Sequence, residues 1–269
     1  MLHEYRGLMI RPVSPDSLGR YLELFRVAFP SYKTSESYLN WLYFENPNGP
    51  AVGFDAYDGD LLVAHYVCVP IVINAYEKPS LLALNTCTHP KYQGRGLLKV
   101  LANNTYEKYG SNFSCVVGVA NSQAIKPLTR HLGFFHLGDL ELRFGSLASS
   151  ILGRRVYSEV EVKWRANCPG KELSVTKFSE ETVKFTRKYF KIFPISAICP
   201  VNKEPLTQPI ILAHKKTYGV TVDWQKNVKP KFFLPKKFKP SPLSFVFRPL
   251  SETDSSRITS WVYPDFDAI

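Results

Sequence analysis

The chain has 269 residues, 45% hydrophobic and 14% aromatic, with a net charge of +11. Such a composition builds a packed core and excludes a disordered chain, and the length suits one large domain or two small ones. Five scattered cysteines without a CxxC pair suggest neither a zinc site nor a disulfide framework, so a metal-free cytoplasmic protein with reduced thiols is expected.

The N-terminal MLHEYRGLMIRPVSPDS has no apolar signal-peptide core, and no run reaches about 18 uncharged apolar residues, so no membrane span is expected. Residues 14–30 read as a capped helix with Leu18, Tyr21, Leu22 and Phe25 on one face. A short helix is expected over 35–44, then a loop at ENPNGP (45–50). Strands follow at 51–57, 61–73 and 81–88, with Pro70 marking a bulge or bend. Helix 97–109, strand 113–119, helix 124–132 and strand 133–144 come next. The order predicts an α/β (α+β) fold: a mixed, mostly antiparallel sheet with helices on both faces. Beyond about residue 150 the chain turns basic and aromatic. There VYSEVEVKW (156–164) alternates like a strand, and SEETVKFTRKYFKIF (179–193) reads as a helix capped by Ser179. Two strands are expected over 209–224 and one over 241–250. We therefore expect domains at 1–150 and 151–269, the second a smaller α+β region. Positive charge is densest in KNVKPKFFLPKKFKPSP (226–242), either a solvated loop or a basic rim for an anionic small molecule; no nucleic acid is expected.

HPKYQGRGLLKVL (89–101) runs from a strand through a glycine turn into a helix. Such a turn gathers unpaired N–H groups at the positive end of a helix dipole, where glycine lets a ligand approach. It is either a phosphate-binding site or an ordinary turn needing glycine for positive φ. Neither a P-loop nor GxGxxG is present.

Gln93-Gly94-Arg95-Gly96-Leu97-Leu98 resembles the (Arg/Gln)-x-x-Gly-x-(Gly/Ala) turn of the GNAT superfamily of acyl-CoA-dependent N-acyltransferases. THPKY before it, GVANSQAI after it and TRHLGFFHLG beyond resemble further marks of that family in the same order, over roughly residues 50 to 145. The resemblance implies a GNAT-like sheet and coenzyme A as co-substrate. It places the diphosphate on Gly94, Arg95, Gly96, Leu97, Leu98 and Lys99, beside Gln93. The pantetheine would run along Asn85, Thr86, Cys87 and Thr88, with Asn121 bonded to it. Two positions depart from the pattern: Leu98 replaces a small residue, and Thr129 stands where many members carry a tyrosine acid.

The implied reaction is attack of an amine on the thioester. His65, in an apolar run, is the candidate base, because an imidazole titrates near neutral pH. Asn85 is a candidate to orient water or substrate, and Cys87 a candidate nucleophile; a backbone N–H of Cys87 or Thr88 would polarise the carbonyl. WLYFENPNGPAVGF (41–54) and the tail SWVYPDFDAI resemble a subgroup that acylates nucleotide-linked amino-sugars for bacterial surface polysaccharides (lipopolysaccharide O-antigen). That implies a dTDP-linked amino-deoxysugar acceptor held by Trp41, Tyr66, Trp224, Trp261, Asp265 and Asp267. Phe232, Phe233, Tyr263 and Lys229, Lys231, Lys236 and Lys237 would surround the nucleotide. Another amine (amino acid, aminoacyl-tRNA or protein lysine) and a non-catalytic acyl-CoA-binding domain remain alternatives, and a homodimer is compatible with the exposed strand edges.

Overall fold

The computed structural model describes residues 3–30, 33–147, 153–170, 172–179, 182–189, 193–201, 218–226 and 243–262. The chain opens with a hairpin, β1 (His3–Tyr5) and β2 (Leu8–Pro12), turned by Arg6 and Gly7 at positive φ. This hairpin was not expected from the sequence. Helix α1 (Leu18–Ala28) buries Tyr21, Leu24 and Phe25. Helix α2 (Glu36–Tyr43) starts where Ser35 accepts the Tyr38 N–H, and it buries Tyr38, Leu39, Trp41, Leu42 and Tyr43.

Strands β3 (Val52–Asp58), β4 (Leu61–Ile73) and β5 (Ser80–Thr88) form an antiparallel meander. Pro70 makes no bulge. It pairs in register with Leu81, and β3 already ends opposite Cys68, so the missing N–H costs no ladder bond on that side. The bulge lies instead between His65 and Val67. Helix α3 (Leu97–Tyr109), β6 (Cys115–Ala120), α4 (Ile125–His131) and β7 (Phe135–Ser146) follow as expected.

The later segments depart from expectation. Residues 156–164 are mostly helical: α5 (Glu159–Ala166) begins where Ser158 accepts the Glu161 N–H. Acidic Glu159 and Glu161 in its first turn and basic Lys163 and Arg165 in its last outweigh the valine alternation. The helix expected from Ser179 is a hairpin, β9 (Ser174–Ser179) with β10 (Thr182–Tyr189). Val183 and Phe185 alternate into a buried cluster with Ala197 and Cys199 of β11 (Phe193–Pro200), and Ser179 bonds Thr182 Oγ1 at 2.6 Å. Residues 209–217 of the expected strand pair, and 227–242 of the basic run, lie outside the described residues.

Eleven described strands form the main sheet, in the order β1-β2-β3-β4-β5-β6-β13-β7-β12-β14, with β8 (Arg155–Val156) pairing β4. β12 (Tyr218–Gln225), β13 (Leu243–Pro249) and β14 (Ser260–Val262) all come from beyond residue 150. β13 inserts between β6 and β7 and is antiparallel to both. The sheet therefore crosses the division expected at residue 150. One core lies under α1 and α2, and a second lies under α3 on the opposite face.

Candidate active site

β5 and β6 are the parallel neighbours of this sheet, and they pair only from Leu81↔Val116 to Ala83↔Gly118. Both strands continue past that point without pairing to each other, to Thr88 and Ala120. A cause lies on the other edge of β5. Between His65↔Cys87 and Val67↔Leu84, two residues, Asn85 and Thr86, face one, Tyr66. This is a bulge, with Asn85 at φ 48° in the left-handed region that asparagine tolerates. A bulge bends its strand, and here β5 turns away from β6.

The gap holds a cavity of about 620 Å³. Ala28 and Phe29, at the end of α1, line one end. Gln93 and Leu98 of the glycine turn, and Ala124 and Leu128 of the α4 segment, line the other. Asn85, Thr86, Cys87 and Thr88 form one wall, and Gly118 to Asn121 the opposite one.

The glycine turn adjoins this cavity. Gly94 and Gly96 have φ of 75° and 76°, and Gly96 is the N-cap of α3. Lys99 and Val100 donate to the Gly96 carbonyl, which leaves the Leu97 and Leu98 N–H groups as helix-end donors without a backbone acceptor. No heavy atom lies within 4 Å of where a Cβ of Gly94 would stand, so positive φ, not crowding, selects glycine there. Arg95 is folded back: its guanidinium bonds the Lys91 carbonyl at 3.3 Å and covers the Tyr92 ring at 4.6 Å. Lys99 is exposed, and Leu97 is buried, so Leu97 offers only its backbone.

The antiparallel ladder orients the wall donors. His89 N–H bonds the Val63 carbonyl at 2.8 Å. The two-residue alternation then commits the Cys87 N–H to β4 and turns that of Thr88 toward the cleft. Of the two backbone donors expected for the carbonyl, Thr88 is the available one. The Cys87 thiol lines the cavity, but burial, with the Asp55 charge adding, pushes its pKa well up. It stays a neutral thiol at physiological pH, which argues against the nucleophilic role.

The other expected residues divide. Asn121 Oδ1 accepts the N–H groups of Gln123 and Ala124 at 3.0 and 2.9 Å, opening α4, so only its amide N–H2 is left for a ligand. Tyr66 lines the cavity, with its hydroxyl 2.5 Å from that of Tyr106. Thr129 returns its hydroxyl to the Ile125 carbonyl at 2.9 Å and does not replace a tyrosine acid. Trp41 is buried in a stack with Trp164. Trp261 is fully buried against Phe245, and its cross-strand neighbour Trp224 packs on the same ring. None of these three tryptophans lines the cavity, which argues against the base-stacking role expected for them. Asp265 and Asp267, with Tyr263, Phe232, Phe233, Lys229, Lys231, Lys236 and Lys237, lie outside the described residues.

His65 is 1% exposed and does not line the cavity. Its Nδ1 is 2.6 Å from Asp55 Oδ1, and its Nε2 is 3.4 Å from the Tyr43 hydroxyl. Tyr43 in turn accepts from Asn85 Nδ2 at 2.9 Å, and Tyr21 donates to Asp55 Oδ2 at 2.8 Å. Asp55, Tyr43 and Tyr21 were not singled out from the sequence. The usable signal was a carboxylate in the middle of AVGFDAY, a strand otherwise free of charge.

The fold is similar to that of a solved structure described as a probable N-acyltransferase. A conserved protein of unknown function from Enterococcus faecalis V583, described as a probable N-acyltransferase, superposes with a TM-score of 0.56. It is 9% identical, over 90% of this chain and 73% of that one. The ribosomal-protein-S18-alanine N-acetyltransferase of Escherichia coli gives 0.41 at 15% identity, covering 50% of this chain and 81% of that one. Arabidopsis thaliana NAA60 with acetyl-CoA gives 0.42 at 21% identity, covering 49% and 89%. At these identities the likeness is one of fold. No protein-family model and no curated protein matches the sequence. Among the described residues, no helix is long and apolar enough to cross a membrane.

Proposed function

We propose that the protein is an N-acyltransferase that moves an acyl group from acyl-CoA to a primary amine. The observation that carries this reading is the bulge-driven parting of β5 from β6 above a glycine turn whose helix-end N–H groups are unspent. The cleft suits an extended pantetheine arm, which can add to the open edge of β5 as a strand would. The Leu97 and Leu98 N–H groups suit a diphosphate, with exposed Lys99 adding charge. When bound, acyl-CoA supplies the thioester. The protein aligns it with the amine entering from the α1 end and offers the Thr88 N–H to the developing oxyanion.

For the acceptor we propose the amine of a nucleotide-linked amino-deoxysugar, which rests on the sequence likeness of residues 41–54 and of the tail. Of its expected ligands, Tyr66 alone among the described residues lines the cavity.

The test is a thermal-shift panel of CoA, acetyl-CoA, longer acyl-CoAs, dTDP- and UDP-sugars and tRNA. A ligand of the native state raises the melting temperature by mass action. A rise with a CoA species and with one nucleotide sugar is expected. No response to any CoA species would overturn the acyltransferase reading, and a response to CoA and tRNA without nucleotide sugars would move the acceptor to aminoacyl-tRNA.

A further inference from the structure

We infer, on the basis of the acyltransferase reading, that the cavity ends in an apolar chamber for an aliphatic acyl chain of about four to six carbons, and that Gly118 sets its depth. The chamber lies where the gap between β5 and β6 closes. Ala83↔Gly118 is the last pair before the two strands part. Gly118 also pairs with Val246 of β13, so Ala83, Gly118 and Val246 stand abreast on three neighbouring strands. All three line the cavity, together with Tyr66, Leu128 and Phe134.

The two faces of the sheet divide the cavity. Tyr66, Phe134 and Val246 belong to the core under α3, and Ala83 and Leu128 pack against it. Ala28 and Phe29, at the other end, pack against the core under α1 and α2. The cavity therefore passes through the gap, with a mouth on the α1 face and the chamber on the α3 face. In chain order the glycine turn follows Thr88, and the closed end of the gap precedes Asn85. A pantetheine arm that comes from the turn along residues 88 to 85 meets Thr88 first and carries its acyl end toward Ala83 and Gly118. The amine enters from the α1 side, so the chamber is left to the acyl chain. Its chemistry suits a hydrocarbon. Tyr66 is the only one of the six chamber residues with a polar side-chain atom, and that hydroxyl lies 2.5 Å from the Tyr106 hydroxyl.

The size sets the length. An apolar cavity of about 150 Å³ takes the six carbons of benzene, or roughly 25 Å³ per atom. On that scale the cavity of about 620 Å³ holds roughly 25 non-hydrogen atoms. A pantetheine arm with an acetyl group uses about 21 of them, which leaves room for roughly four more carbons.

Gly118 is the residue that keeps this space open. Glycine weakens a strand interior, and it marks places where a ligand comes close to the backbone. Gly118 is not among the glycines at positive φ, so its backbone conformation does not demand glycine. A Cβ there would stand 3.7 Å from both the Ala83 Cβ and the Val246 Cγ2, and 3.3 Å from the Ala83 carbonyl oxygen. A methyl needs that carbonyl to give by a few tenths of an ångström, and a larger side chain would occupy the chamber.

The test is calorimetric titration of the protein with acetyl-, butyryl-, hexanoyl- and octanoyl-CoA. Wild-type affinity should rise about fourfold per added methylene up to hexanoyl, the gain for taking a methylene out of water, and no further at octanoyl. Gly118→Val should collapse the hexanoyl-to-acetyl ratio from about 100-fold or more to below about tenfold. Val246→Ala takes two methyl groups off the chamber wall, and octanoyl-CoA should then bind about fourfold or more tighter than hexanoyl-CoA. Each readout is a ratio within one protein, so a general loss of CoA affinity does not imitate it. A wild type that binds hexanoyl-CoA no tighter than acetyl-CoA overturns the chamber and leaves the acyltransferase reading standing. So does a wild-type chain-length profile in either variant, and Val246→Ala alone decides if Gly118→Val does not fold. Absence of binding of every CoA species by the wild type overturns both.

Discussion

Trp41 on α2 and Trp164 on α5 stack with ring centroids 4.1 Å apart. Each indole N–H donates to the other residue's backbone carbonyl, at 3.0 and 3.2 Å. The two lie 123 residues apart, so this reciprocal clasp joins the helices before β3 to the segment after β7. Replacing buried Trp41 with Ala is expected to cost about 3–5 kcal/mol, the range for deleting a buried aromatic, and replacing the half-buried Trp164 less. Each change strips the other ring of its partner. The double variant should therefore lose less than the sum, with a coupling of about 0.5–3 kcal/mol. Denaturant unfolding of the four proteins of the cycle measures this, and strictly additive losses would mean that the stack contributes nothing of its own.

A second long-range tie is ionic. Arg143 on β7 grips Asp223 on β12 with two bonds, Nε to Oδ1 at 2.7 Å and Nη2 to Oδ2, and both side chains are almost wholly buried. Asp223→Ala leaves a buried guanidinium without its carboxylate and should cost about 3–5 kcal/mol. Thermal unfolding reads the loss. A change below about 1 kcal/mol would show that β12 is a dispensable addition to the sheet and not an integral strand.

At the glycine turn, two substitutions separate backbone strain from charge. Gly96→Ala and Gly96→Glu both force a side chain onto a φ of 76°, so both should lose about 1 kcal/mol or more of stability. Only the glutamate adds a negative charge at the start of α3. Calorimetric titration with CoA should show the alanine variant binding within a few-fold of wild type and the glutamate variant not binding. Equal affinities in the two variants would remove the diphosphate from this turn.

Stability should fall in alkali. Burial raises the thiols of Cys68 and Cys115 from 9.0 to about 12, and it pushes Cys87, Tyr21, Tyr66 and Tyr106 up as well. For an acid whose folded pKa is raised, the unfolded chain releases the proton first. The stabilisation is complete below the unfolded value and drains away as pH climbs toward the folded one. Each thiol then removes about 1.4 kcal/mol per pH unit once the unfolded thiol ionises, from about pH 9 upward. The Tm should hold between about pH 6 and 8 and drop steeply from about pH 9 to 11. A constant Tm over that upper span would contradict the burial of these groups.

How far the sequence discloses this molecule depends on the range of the contacts. Elements set by local periodicity, from α1 through β7, are legible because caps, alternation and glycine turns act over a few residues. The glycine turn and the 85–88 wall are legible for the same reason. Local signals mislead where they conflict. At 156–164 the Ser158–Glu161 cap competes with a valine alternation, and at 179–193 an acidic start followed by Lys and Arg imitates a helix, while Val183 and Phe185 alternate as a strand does. What pairs across the fold is not legible. Nothing near Asp55 announces that it will meet His65, and nothing in SPLSFVFRPL says that it will lie between strands made 100 or so residues earlier. Of the tryptophans read as nucleotide platforms, Trp41 and Trp261 are buried in the core and Trp224 packs half-buried against Phe245, since a side chain's exposure is decided by the whole chain.

The place of β13 also bears on how the molecule is made. β6 and β7 are translated together, yet they are held apart by a strand that begins at Leu243. At about 5–20 residues per second, roughly 5–20 s separate the emergence of Ser146 from that of Leu243. Through that interval the nascent chain carries two ladder edges with no strand to satisfy them, in a register where direct β6–β7 pairing is the nearest error. Val246, which lines the cavity, arrives on that late strand. The cavity wall is therefore complete only after residue 249 has been translated.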